Sequence, residues 1–126
     1  MTMVAREPDA GTFPAGWTAI CRVADLEIER GRAALLDDTQ IALFLLHGGR
    51  VHAVQNLDPY SGANVISRGI VGSRQDVPTV ASPMYKQVFD LRTGVCLDTQ
   101  GREPETLRVW PVAVQDDIVC IRQEQP

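Results

Sequence analysis

The chain has 126 residues, the length of one domain, and its 44% hydrophobic and 22% charged residues predict a folded core rather than a disordered segment. Twelve Lys and Arg stand against 16 Asp and Glu, a net charge of −4, which excludes a general phosphate-backbone binder. The longest aliphatic-aromatic run, Ile41–Leu46, is far short of the roughly 20 residues a bilayer-spanning helix needs. The first 16 residues lack the apolar stretch of a secretory signal, so a cytoplasmic protein is expected. Three scattered cysteines (Cys21, Cys96, Cys120) without a CxxC pair read as small hydrophobes rather than disulfide or zinc ligands.

Residues 1–16 carry Pro8, Gly11, Pro14 and Gly16 and read as a flexible N-terminal arm. A single domain over 17–122 and a tail at 123–126 complete the division. Within the domain, short apolar runs alternate with turn residues. The expected strands are Thr18–Arg22, Ala33–Leu36, Ile41–Leu46, Val51–Val54, Thr79–Ala81, Gln87–Asp90, Val95–Leu97, Val109–Val114 and Ile118–Arg122. Asp37-Asp38, Gly48-Gly49, Thr93-Gly94 and Asp116-Asp117 have hairpin-turn composition. No long segment keeps a 3.6-residue apolar period; Ala63–Ser67 offers about one helical turn. Ile41–Leu46 is apolar on both faces and should be a central strand, whereas Pro111 marks an edge or a bulge. The pattern is that of an all-β sandwich or small barrel.

Between Val54 and Thr79 about 24 residues show little strand signal, yet Val65, Ile66, Ile70 and Val71 make the stretch too apolar for a linker. Loops of this length in a compact domain are usually functional. Two turn-like segments share a proline flanked by other turn residues: Asp58-Pro59-Tyr60-Ser61-Gly62 and Ser82-Pro83-Met84-Tyr85-Lys86. The second runs on into Phe89-Asp90-Leu91-Arg92-Thr93-Gly94.

These residues resemble a Rieske-type domain whose ligands are gone. Rieske domains hold a [2Fe–2S] cluster between a Cys-Pro-His loop and a Cys-Pro-x-His loop, with thiolates on one iron and imidazoles on the other. Here Asp58 and Ser82 stand where thiolates belong, and Tyr60 and Tyr85 where imidazoles belong. The text Asn56-x-Asp58-Pro59-Tyr60-Ser61, then Ser67-Arg68-Gly69-Ile70, then Ser82-Pro83-x-x-Lys86-Gln87-x-Phe89 is similar to the small subunit of NAD(P)H-dependent assimilatory nitrite reductase, a cluster-free branch of that fold. The 21 residues between Tyr60 and Ser82 exceed the usual Rieske ferredoxin spacing.

The resemblance implies a Rieske-like antiparallel β-sandwich or barrel with a two-loop subdomain. It implies no catalytic residue and no cofactor or metal in this chain. The partner would be the large subunit, with FAD, an iron–sulfur cluster and sirohaem; neither nucleic acid nor membrane is involved. The expected partner face is Asp58, Pro59, Tyr60, Ser61, Arg68, Ser82, Met84, Tyr85, Lys86 and Gln87. Tyr60 and Tyr85 are expected to pack together in the space a cluster would fill. A carboxyl, a hydroxyl and two phenols make a poor transition-metal set, so these groups read as loop-fixing hydrogen-bonders. His47 reads as a solvated turn residue and His52 as a strand residue that is either partly buried or faces the partner. The alternatives are a Rieske electron-transfer ferredoxin, which the absent ligands disfavour, and a Rieske-like adaptor for another partner.

Overall fold

The apolar run beginning at Ile41 forms the wall between two cores. The computed structural model describes residues 16–123 and the backbone of Met3–Val4. The remainder of the N-terminal arm and residues 124–126 lie outside the described residues. The strands are β1 (Met3–Val4), β2 (Trp17–Arg22), β3 (Gly31–Leu36), β4 (Thr39–Leu45), β5 (Val51–Gln55), β6 (Ile70–Arg74), β7 (Val77–Ala81), β8 (Val88–Asp90), β9 (Cys96–Asp98), β10 (Val109–Trp110), β11 (Val112–Gln115) and β12 (Ile118–Arg122). They form three sheets, ordered β1-β3-β4-β5-β10, β11-β12-β2 and β6-β7-β8-β9. All pairings are antiparallel except β1 with β3. Two 3₁₀ turns, Val23–Asp25 and Ile66–Arg68, are the only helical segments among the described residues, and none is long and apolar enough to cross a membrane.

β4 lies between β3 and β5, so both its edges are paired, and each of its faces looks into a core. Ile41, Leu43 and Leu45 point into one core with Ile20, Leu36, Trp110, Val119 and Ile121. Ala42 and Phe44 point into the other, with Val54, Ile66, Val80, Phe89, Leu91 and Leu107. The first core lies between the five- and three-stranded sheets. The second seats the β6–β9 subdomain, inserted between β5 and β10, on the opposite face. At Pro111 the chain leaves the five-stranded sheet as β10 and joins the three-stranded one as β11, because proline breaks the ladder there.

The structure adds two strands to the sequence reading and splits the expected Val109–Val114 strand in two at Pro111. One addition is β1: Met3–Val4, inside the stretch expected to be a flexible arm, pairs with Ala34–Leu35 of β3. The other is β6. The long interruption holds the expected helical turn, displaced to Ile66–Arg68, and then β6. β6 escaped notice because it is mostly exposed, contains Gly72 and lacks alternation. Its turn, Gln75-Asp76, has positive φ at both residues (49° and 69°) without the Gly or Asn that normally marks a type I′ hairpin. Asp116-Asp117 adopts the same geometry, as its composition suggests (51° and 67°).

Candidate functional site

Three loops of the subdomain share one hydrogen-bonding scheme. In the first, the Tyr60 N–H donates to Asp58 Oδ1 (2.8 Å), the Gly62 N–H to the Asp58 carbonyl (2.8 Å) and the Asp58 N–H to the Ala63 carbonyl (2.8 Å). In the second, the Met84 N–H donates to Ser82 Oγ (3.2 Å), the Lys86 N–H to the Ser82 carbonyl (3.1 Å) and the Ser82 N–H to the Gln87 carbonyl (2.9 Å). The third repeats it at Asp90: Arg92 N–H to Oδ1 (2.8 Å), Gly94 N–H to the Asp90 carbonyl (2.7 Å) and Asp90 N–H to the Val95 carbonyl (2.8 Å). The first residue must carry a side-chain acceptor to turn the chain. The fifth must take positive φ, and does so in Gly62 (75°), Lys86 (67°) and Gly94 (80°). Two of the three positions have the glycine this conformation favours; Lys86 does not.

The first two loops meet through their leading residues. Ser82 Oγ donates to Asp58 Oδ2 at 2.6 Å, and both residues are fully buried. Asp58 therefore uses one carboxyl oxygen to shape its own loop and the other to hold the second loop. Asn56, also buried, fixes the base of the first loop: its Nδ2 donates to Gln40 Oε1 (3.0 Å) and its Oδ1 accepts the Ser67 N–H (2.7 Å).

The two tyrosines do not pack together, contrary to expectation. Tyr60 tilts against Phe89, with centroids 6.2 Å apart, and its hydroxyl donates to the Glu103 carbonyl (2.7 Å) while accepting the Glu105 N–H (2.9 Å). Burial, helped by the contact with Cys96 Sγ (3.7 Å), pushes the phenol pKa up. Tyr85 is exposed and lies under the Arg102 guanidinium, 4.8 Å from its ring centroid. Both rings are engaged by segment 99–106 instead of each other. That segment has little apolar signal, so sequence reasoning passed over it. A third tie runs from the buried Gln87 Nε2 to the Thr99 carbonyl (3.5 Å).

The four positions do not fit an iron–sulfur cluster. They offer no thiolate and no imidazole, the Asp58–Ser82 hydrogen bond spans the space between the loops, and the Tyr60 hydroxyl is committed to the backbone of 103–105. Among the described residues no three His, Cys, Asp or Glu gather to hold a metal ion. The three cysteines are free thiols; burial pushes Cys21 up to about 11 and raises Cys120 as well.

Of the residues named for the partner face, Asp58, Ser82 and Gln87 are enclosed and present no surface. Pro59, Tyr60 and Ser61 are half-buried. Arg68, Met84, Tyr85 and Lys86 are exposed, and none of the three cationic side chains there, Arg68, Lys86 and Arg102, forms an ion pair among the described residues. His47 is exposed, 3.2 Å from a Glu29 carboxyl oxygen, and His52 is half-buried on β5.

A β-sandwich carrying an inserted subdomain with two facing, self-bonded loops is the framework of the Rieske class. Residues 16–122 match the family model described as the Rieske-like [2Fe–2S] domain. The chain is 36% identical over 107 residues to the nitrite reductase (NADH) small subunit of Escherichia coli K12, covering 84% of this chain and 96% of that protein. It is 42% identical over 109 residues to the nitrite reductase [NAD(P)H] large subunit of Klebsiella oxytoca, where the match covers 86% of this chain but spans only 11% of that much longer protein. A crystal structure described as a NADH-dependent nitrite reductase small subunit from Mycobacterium tuberculosis superposes with a TM-score of 0.80 at 43% identity, covering 87% of this chain and 96% of that one. The ferredoxin of carbazole 1,9a-dioxygenase from Nocardioides aromaticivorans shares the fold (TM-score 0.74) at 18% identity. The chain belongs to the Rieske-like domain family, within its nitrite reductase small-subunit branch.

Proposed function

We propose that this chain is the non-catalytic small subunit of an NAD(P)H-dependent nitrite reductase, docking on a large subunit that carries the chemistry. The observation that carries the reading is the Asp58–Ser82 hydrogen bond, which closes on each other the two loops that resemble a Rieske domain's cluster-holding loops. Electron transfer through this chain would need thiolate and imidazole donors that these positions lack. The Klebsiella relative supports the partner assignment, because there a homologous domain is part of the large chain itself. The holoenzyme would act in nitrate assimilation in the cytoplasm, reducing nitrite to ammonium with FAD, iron–sulfur and sirohaem groups held by the large subunit.

The docking face is the exposed part of the loop end: Pro59, Tyr60, Ser61, Arg68, Met84, Tyr85 and Lys86, with Arg102 beside them. Aromatic, Met and Arg side chains are the types enriched in interface cores. Unpaired cations on an acidic chain favour an acidic patch opposite. Asp58, Ser82 and Gln87 act from behind by holding the loops in shape.

The test is to mix the purified chain with the large subunit and measure association and nitrite-dependent NADH oxidation. Association with the wild-type chain is expected, weakened by Lys86→Glu and Arg68→Glu variants that melt like wild type. Absence of association overturns the reading. Undiminished binding by both variants moves the interface off the loop end.

A further inference from the structure

β6 presents an edge that the molecule leaves bare. It is the outer strand of its sheet, and the direction of its groups follows from Pro78. The Pro78 carbonyl accepts the Leu91 N–H (2.9 Å), on the side away from β6. Ser73 lies opposite Pro78 and Val71 opposite Val80, so both turn their N–H and C=O groups away from β7. No described residue hydrogen-bonds to them.

The other sheet edges are blunted. β1 and β10 are two residues long, and β9 is three, with a register shift opposite it. β11 is fenced by Pro111 and by Asp116-Asp117, and the pairing of β2 is bulged at Val119/Cys120. β6 has neither a proline nor a bulge over its five residues, and its one acidic flank is the Gln75-Asp76 turn, at the end away from Ile70. Its one charge, Arg74, is already engaged by Asp98 (3.4 Å). Ile70, at 69%, is the most exposed large apolar side chain among the described residues. It lies opposite Ala81, the residue before Ser82, so the bare edge starts at the loop end.

We propose that β6 is the strand to which an extended apolar segment of the nitrite reductase large subunit adds, alongside the loop-end contact. This rests on the small-subunit reading above. It commits to that occupant because in the Klebsiella relative the homologous domain is covalently part of the large chain, so that its permanent neighbour is the remainder of that chain. The main-chain groups of Val71 and Ser73 supply the pairing, and Ile70 supplies an apolar seat.

The experiment adds the large subunit to the full chain and follows amide hydrogen exchange, with Ser73→Pro and Ser73→Ala as variants. The Val71 and Ser73 amides should exchange freely in the chain alone and slow in the complex. Ser73→Pro, which removes one outward donor, should bind about tenfold or more weakly, while Ser73→Ala, which keeps it, should bind as wild type. If the wild-type chain binds but these amides stay unprotected, or if Ser73→Pro binds undiminished, the strand-addition proposal is overturned while the small-subunit reading stands. If the chain alone forms a concentration-dependent dimer that protects the same amides, the edge belongs to a second copy and the stated occupant is wrong. If the wild-type chain fails to bind at all, both readings fall together.

Discussion

Replacing Ser82 by Ala tests whether one hydrogen bond now joins the two loops. The side chain is fully buried, donates to Asp58 Oδ2 at 2.6 Å and accepts the Met84 N–H at 3.2 Å. Losing the Met84 contact, which shapes the second loop itself, adds to the cost of the variant and cancels in the double-variant cycle with Asp58. The Asp58 oxygen is buried, and a buried acceptor stripped of its donor costs about 1–3 kcal/mol. With a urea slope of about 1–3 kcal/mol/M for a domain this size, a loss of about 2 kcal/mol lowers the midpoint by about 1 M. The fluorescence of buried Trp110 and half-buried Trp17 reports the transition. The same loss should shrink when Asp58 is already Ala, because the oxygen to be orphaned is gone; the cycle should show coupling of about 1 kcal/mol or more. A Ser82→Ala midpoint equal to wild type, or additive single and double variants, would refute the bridging role.

Gly94→Ala should cost about 2–5 kcal/mol in thermal unfolding, since a Cβ there both meets the Leu107 carbonyl and sits at φ 80°, whereas Gly62→Ala, with φ 75° and open space around it, should cost only about 1–2 kcal/mol; equal costs would show that the close approach is irrelevant. Lys86→Gly should raise stability by about 1 kcal/mol by relieving the positive φ, while weakening binding to the large subunit; a lower melting temperature would mean the lysine side chain stabilises its own loop. Burial, then Arg50, and also Arg92 hold the His52 pKa below its ordinary value against the opposing pull of Asp90. The unfolded chain therefore takes up the His52 proton first, and stability falls as pH drops from about 7 through 6.5 toward the folded pKa; His52→Gln should flatten denaturation midpoints in that window, and an unchanged slope would count against it.

The strands that could be read in advance are those whose side chains decide their place. Ile41–Leu46 is apolar on both faces, and β4 accordingly separates two cores. β6 could not be read so, because its place is set by backbone pairing to β7 and its side chains are mostly solvated. The first two loops were legible as a pair through Asp58-Pro59 and Ser82-Pro83. The third, at Asp90, carries the same acceptor and the same left-handed fifth residue but no proline, and its kinship emerges only from the hydrogen bonds. The resemblance places Tyr60 and Tyr85 where Rieske loops carry imidazoles, and the expectation that they pack together takes the loop tips to have only each other to meet. Segment 99–106 offers main-chain partners and an Arg instead, and a phenol reaches farther than an imidazole to find them.

The third loop also shows that this loop shape needs no metal. A loop that needed a metal to hold its shape would unfold when the ligands were replaced. Here the shape comes from an acceptor at the first position, a carbonyl closed by the fifth N–H, and a left-handed fifth residue. The Asp90 loop has all three features. Its carboxyl is further secured by Arg92, whose side-chain and backbone hydrogen bonds outweigh the burial that pushes its pKa up and hold it below the ordinary value. Asp58 and Ser82 each supply the acceptor that this turn needs, so each loop holds its shape by itself. The tie between the two loops is the hydrogen bond from Ser82 Oγ to Asp58 Oδ2. Hydrogen bonds alone thus hold the frame, which leaves its outer face free to vary. Lys86, kept at a position where the sister loops use glycine, is the residue at which that freedom is most visible.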